Sequence, residues 1–170
     1  ASEYPSATDN KAQSVFRSHH ALLFMGVTVH VNSENRIGLI RQTGRVELPD
    51  LLESVQRLLT TLDWLPGYDI VWDCRQVTEL VIGHEAASYM VAALRDIQPL
   101  IGDGRSAIVV PADIAPLFER MMLLERQPDS LRERRVFQTV GAAMRWLTAS
   151  DEMPDVEKVA LLRQWIQESA

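Results

Sequence analysis

The sequence predicts an α/β domain built on a mostly parallel five-stranded sheet with one antiparallel edge strand. Three observations carry this reading. Short β-branched runs alternate with stretches whose apolar residues recur at three- and four-residue spacing, the alternation that produces parallel sheets with helical crossovers. The first two runs are joined by a short polar turn and so form an antiparallel hairpin. The length of 170 residues, 46% of them hydrophobic, suits one core and one domain. The expected order is ββαβαβαβα plus a C-terminal helix.

Residues 1–21 are rich in Ser, Ala, Asn and Asp without a period and read as a loosely ordered tail. Leu22 to Phe24 then offers a small apolar surface to the body of the domain or to a second copy. The α/β domain is expected over 22–150 and a helical extension over 151–170. Val27-Thr-Val-His-Val31 alternates, Asn32-Ser-Glu-Asn35 turns, and Arg36 to Thr43 returns as the second strand. Gly44 to Pro49 reads as a loop.

Pro49 and Asp50 suit a first helical turn, where a missing N–H costs nothing and an acid meets the positive end of the helix. Leu51, Leu52, Val55, Leu58, Leu59 and Leu62 follow at helical spacing, and Trp64-Leu-Pro-Gly67 ends the segment. The apolar run Ile70-Val-Trp72 then predicts a buried central strand over roughly Asp69 to Asp73. A loop would lead to a second helix over Glu85 to Gln98, closed by Pro99 and Gly102-Asp-Gly104. Arg105 to Val110 is the fourth strand. Asp113 is placed to cap a helix with Ile114, Leu117, Phe118, Met121 and Leu124 on its inner face. Pro128 to Glu133 is a loop, and Arg135 to Phe137 a short fifth strand. Thr139 can cap the helix holding Ala142, Ala143, Trp146 and Leu147. After a break at Ser150 to Pro154 a last helix runs from Asp155 to Gln167.

Composition narrows the function. The formal net charge of −6 argues against general nucleic-acid binding, which needs a clustered basic surface to neutralise phosphates. The single Cys74 leaves no intrachain disulfide and fits a reducing compartment. No apolar run approaches the roughly 18 residues of a membrane span, and no signal peptide is framed around Ala21 to Val27. A cytoplasmic protein is expected. His19-His20 stands without acids or cysteines at metal spacing, so no metal site is expected. Gly102-Asp-Gly104 follows a helix and precedes a strand, the reverse of a nucleotide-binding loop, and no Gly-x-Ser-x-Gly elbow occurs. No cofactor is implied.

Taken in order, Trp64-Leu-Pro-Gly-Tyr68, Ile70-Val-Trp-Asp-Cys-Arg-Gln-Val-Thr-Glu-Leu80, Arg105 to Val110, Arg135 to Phe137 and Ala142 to Leu147 resemble the STAS domain family. This is the fold of bacterial anti-sigma-factor antagonists, and the likeness lies on the branch bordering lipid-binding CRAL-TRIO domains. The resemblance covers about Val27 to Leu147. It implies a non-enzymatic regulatory module that binds a protein partner or itself. In phosphorylatable members, the Asp ending the central strand is followed by a turn with an acceptor Ser or Thr. Here the matching turn is Val81-Ile-Gly-His84 and holds no hydroxyl, Thr78 and Ser88 being the nearest.

The best polar constellation is Asp73, Arg75 and His84. An acid and a guanidinium at a strand end can form a charge-assisted pair, and a histidine at the next helix start adds a titratable group. That arrangement suits an anionic or small ligand. The plainer alternative is an Asp73 that accepts amides of its own turn. Thr78, Ser88 and Asp113 complete the expected partner surface. Cys74 beside Asp73 reads as a buried, inert thiol. Phe118 and Met122 could line a cavity for a small apolar ligand whose anionic head meets Arg75, the alternative to a protein partner.

Overall fold

The computed structural model describes residues 26–81, 83–124, 132–149 and 156–169. The N-terminal tail, Leu22–Phe24, the His19-His20 pair and the Ser150–Pro154 break lie outside the described residues, as does most of the Pro128–Glu133 loop. The strands are β1 (Val27–Asn32), β2 (Ile37–Glu47), β3 (Asp69–Val81), β4 (Ser106–Val109) and β5 (Arg134–Phe137). The helices are α1 (Leu48–Leu59), α2 (His84–Ile101), α3 (Ala115–Leu124), α4 (Val140–Thr148) and α5 (Val156–Glu168). The sheet runs in the order β1-β2-β3-β4-β5, with β1 antiparallel to β2 and every other pair parallel. This is the α/β class and the strand arrangement expected from the sequence.

Strand alternation divides the core into two faces. One face of the sheet presents Ile40, Ile70, Cys74, Val77 and Ile108 to α1, α2 and α3 through Val55, Leu58, Ile101, Ile114 and Phe118. The other presents Ile37, Leu39, Val71, Ala107 and Val109 to Ala143, Met144 and Leu147 of α4 and to Val159, Leu162 and Ile166 of α5. The terminal helix is therefore part of the same hydrophobic core as β2, β3 and β4.

The central strand is longer than its apolar run suggests. β3 continues to Val81, and β2 continues to Glu47 beside it, so the expected loop over Gly44 to Pro49 is strand for most of its length. Register shifts fall between Arg41 and Thr43, opposite Asp73 and Gln76, and between Gly44 and Arg45, opposite Val77 and Glu79. At each, β3 advances one residue more than β2, as a β-bulge requires. The extra residues turn Cys74, Val77 and Leu80 toward the same face at three-residue spacing.

Two helix assignments also change. α2 runs through Pro99 to Ile101 and is stopped by Gly102, whose φ of 79° favours glycine. α1 stops at Leu59, which leaves Leu62 99% exposed rather than in the core stripe. For α3 the expected inner face holds at Ile114, Phe118 and Met121, while Leu117 is 46% exposed and leaves it. Thr139 caps α4 as its sequence position predicts, accepting from the Ala142 amide at 3.2 Å.

Candidate functional site

Asp73 stands in mid-strand, not at the strand end, because β3 runs eight residues past it. Its carboxylate is buried, at 2% exposure, on the face covered by α4 and α5. Two guanidiniums consume it. Arg75 chelates it, Nε to Oδ1 at 2.7 Å and Nη2 to Oδ2 at 2.9 Å. Arg41, at the in-phase position of β2, donates Nε to Oδ2 at 2.9 Å. Sequence reasoning missed Arg41. The available signal was its parity: it shares the alternation of Ile37 and Leu39, which points it inward.

Arg41 is 7% exposed, and its Nη2 donates to the Ile166 carbonyl at 2.6 Å. That carbonyl lies in the last turn of α5, where carbonyls lack intrahelical partners. The remaining Arg41 nitrogen, Nη1, has no hydrogen-bond partner among the described residues. Burial pushes the Asp73 carboxyl up, but hydrogen bonds and charge from Arg75 and Arg41 outweigh it and hold the pKa below its ordinary value. A carboxylate with both oxygens bound to cations is a poor general acid or base. The neighbouring Cys74 is fully buried, 3.7 Å from Gln42 Oε1, and burial pushes its thiol far up.

Thr78 is exposed on the outer half of β3, and Asp113 is exposed in the turn before α3. That turn follows Val109, the partner of Asp73 in the ladder, so Asp113 lies near the same sheet edge. His84 opens α2 and Ser88 follows one turn later; their side chains are outside those described. Val81 lies eight strand residues beyond Asp73, a run of about 25 Å, and α2 starts beyond it. The structure brings Asp73 and Arg75 together and leaves the α2 start far from them.

The opposite face of the sheet holds an apolar cavity of about 70 Å³ beneath α1 and α3. Leu51, Leu52, Trp72, Phe118, Met121 and Met122 form its walls, and Arg132 and Arg134 stand at its polar end. Phe118 and Met122 thus line a cavity as the ligand-binding alternative requires. Arg75 does not line it. Arg132 is 4% exposed and donates to the carbonyls of Tyr68, Ile101, Gly102 and Arg105 and to Ser106 Oγ, at 2.9 to 3.3 Å. Burial lowers its pKa to about 10, still charged at neutral pH.

Among the described residues, no helix is long and apolar enough to cross a membrane, and no group of three or more His, Cys, Asp or Glu could hold a metal ion. No family model and no curated protein matches the chain. Among solved structures, it is similar to an uncharacterized protein of the DUF3478 family from Shewanella loihica PV-4, described as having a SpoIIAA-like fold. The identity is 13% over 71% of this chain and 91% of that one, with a TM-score of 0.46.

Proposed function

We propose that the protein is a non-enzymatic, STAS-like module that works by binding a protein surface at the end of the domain where α1 and α2 terminate. One observation carries this reading: Leu62 is 99% exposed, Leu65 57% and Leu100 55%. These leucines belong to segments in contact. Trp64 Nε1 donates to the Leu100 carbonyl at 3.5 Å, and the Gly67 amide donates to the Ile101 carbonyl at 2.9 Å, so the loop after α1 lies against the end of α2. Pro66 and Pro99 are exposed in the same segments. Each leucine fully covered by a partner would contribute about 1.5–3 kcal/mol, and contiguous exposed apolar patches mark interaction surfaces.

The polar chemistry supports a binding role over catalysis. Asp73 is held ionised by two arginines and Cys74 is sealed as a thiol, so neither is poised as acid, base or nucleophile. The turn Val81-Ile-Gly-His84 carries no hydroxyl, so phosphorylation in that turn is not its switch. The first partner to test is a second copy. Sedimentation at rising concentration is expected to show association that Leu62→Ser/Leu65→Ser/Leu100→Ser abolishes without lowering the melting temperature. Identical sedimentation of the two proteins at every concentration would remove self-association. Turnover abolished by Asp73→Asn in a folded protein would remove the non-enzymatic reading altogether.

A second reading rests on the cavity: a small apolar ligand between α1, α3 and the sheet. At about 70 Å³ the space is roughly half the ~150 Å³ that admits benzene in an engineered core. Entry therefore requires Met121 and Met122, both flexible, to move. A native mass spectrum separates the readings. A co-purifying small molecule supports the ligand, and a bare monomer or dimer supports the interaction module.

A further inference from the structure

We propose that the groove between α4 and α5 is a binding site for the phosphoryl group of a small phosphorylated molecule, gripped by Arg145 and Arg163 above Gly141. The groove is an open depression of about 200 Å³, lined by Arg145, Val156, Val159, Ala160 and Arg163. The two guanidiniums come from different helices and converge on one point. A methyl group placed on the α-carbon of Gly141 would stand 2.5 Å from Arg163 Nη2 and 3.6 Å from Arg145 Nη1.

Both arginines are exposed and long enough to swing apart into water. Like charges this close repel, and among the described residues neither has a carboxylate or hydrogen-bond partner. Two guanidiniums this close can both donate to a phosphoryl group, which accepts from both at once. Gly141 lets the Arg163 guanidinium lie close against α4, since a β-carbon there would oblige the tip of that side chain to shift. Val156, Val159 and Ala160 supply an apolar wall, which suits an organic phosphate over the free ion. The site is separate from the Leu62–Leu65–Leu100 patch and does not depend on it.

The natural rivals for the guanidiniums are Asp151, Glu152 and Asp155, which precede α5 in the chain and lie outside the described residues. The test is thermal melting and calorimetry of the whole chain with inorganic phosphate at constant ionic strength, with acetate and chloride as controls. Phosphate is expected to bind saturably, with a Kd on the order of 1 mM, and acetate at least several-fold more weakly. Arg145→Ala and Arg163→Ala should each weaken binding about tenfold. Gly141→Ala, which shifts only the tip of Arg163, should weaken it less than either arginine variant while leaving the melting temperature unchanged or raised, since alanine is the better helix residue. That variant separates loss of the site from loss of the fold. Three results overturn the proposal: no saturable phosphate binding, binding that survives the double arginine variant, or binding that appears only in Asp151→Asn/Glu152→Gln/Asp155→Asn.

Discussion

Removing the Asp73 carboxylate tests the centre of this fold, because its two arginine partners differ in access to water. In Asp73→Ala, Arg75 loses two guanidinium hydrogen bonds and one from its amide, but its side chain is 41% exposed and is resolvated. Arg41 cannot follow. Its side chain is 8% exposed and keeps only the Ile166 carbonyl as a hydrogen-bond acceptor. An uncompensated buried charge costs about 3–5 kcal/mol, a large share of the roughly 5–15 kcal/mol that holds a domain together. For a chain of this size each kcal/mol lowers the melting temperature by about 2–4 °C, so a fall of about 10 °C is expected. Arg75→Ala, which breaks only the exposed side of the cluster, should cost at most about 1 kcal/mol. Arg41→Met/Asp73→Leu removes charge and counter-charge together and should return to within about 2 kcal/mol of wild type. Urea and thermal unfolding of the four proteins measure the series. An Asp73→Ala variant as stable as Arg75→Ala, or a double variant no better than Asp73→Ala alone, would refute the reasoning.

Four further outcomes are expected. The folded-state pKa of Asp73 lies below its unfolded value, so its contribution is complete above roughly pH 4 and is lost as acid titrates the folded carboxylate. Urea midpoints should therefore fall more steeply below about pH 4 in wild type than in Arg41→Met/Asp73→Leu. Phe118→Ala, at a side chain that is 1% exposed, should cost about 3–5 kcal/mol, while Leu117→Ser should stay within about 0.5 kcal/mol, both read from chemical denaturation. Cys74 should be silent to a thiol reagent in the native protein and react stoichiometrically in denaturant, since its thiol is buried and its pKa raised; rapid native labelling would contradict that burial. Arg132→Lys should lower stability by about 2–4 kcal/mol because an ammonium carries three donors and cannot serve five oxygens, with amide exchange at the end of α2 rising first.

How far the residues alone disclose this structure depends on which signal each part leaves. The strand order was legible because β1 alternates, the Ile70–Trp72 run is apolar, and Pro49 and Thr139 mark helix starts. The outer half of β3 was hidden for a physical reason. Two bulges change its inward period from two to three, and Cys74, Val77 and Leu80 at that spacing resemble a polar turn with scattered apolar residues. Reading a loop there placed Asp73 at the rim of the sheet and put His84 within reach of it. The Asp73–Arg75 pair was visible as neighbours in sequence, whereas Arg41 lies 32 residues away and announces itself only through strand parity. Arg132 leaves no sequence signal, because its partners are backbone carbonyls and any residue type carries those.

The buried Arg41 and Arg132 and the half-buried Arg105 share one physical role. The last four carbonyls of a helix lack intrahelical donors and carry the negative end of its dipole. Arg41 reaches the end of α5 at Ile166, and Arg132 the end of α2 at Ile101 and Gly102. Arg105 reaches the end of α4 through Trp146, Leu147 and Ala149, while its own amide and guanidinium bind Asp69 at the start of β3. Each arginine belongs to or adjoins the sheet, so each fastens a helix terminus to a strand edge where apolar packing runs out. A guanidinium suits this because its donors fan out in a fixed plane and its charge is only weakly hydrated. Only Arg41 is completed by a carboxylate as deeply buried as itself, which makes the Asp73 cluster a fastener of the terminal helix first. A binding role is therefore better sought where side chains remain unspent, at the exposed leucines and at the paired arginines above Gly141.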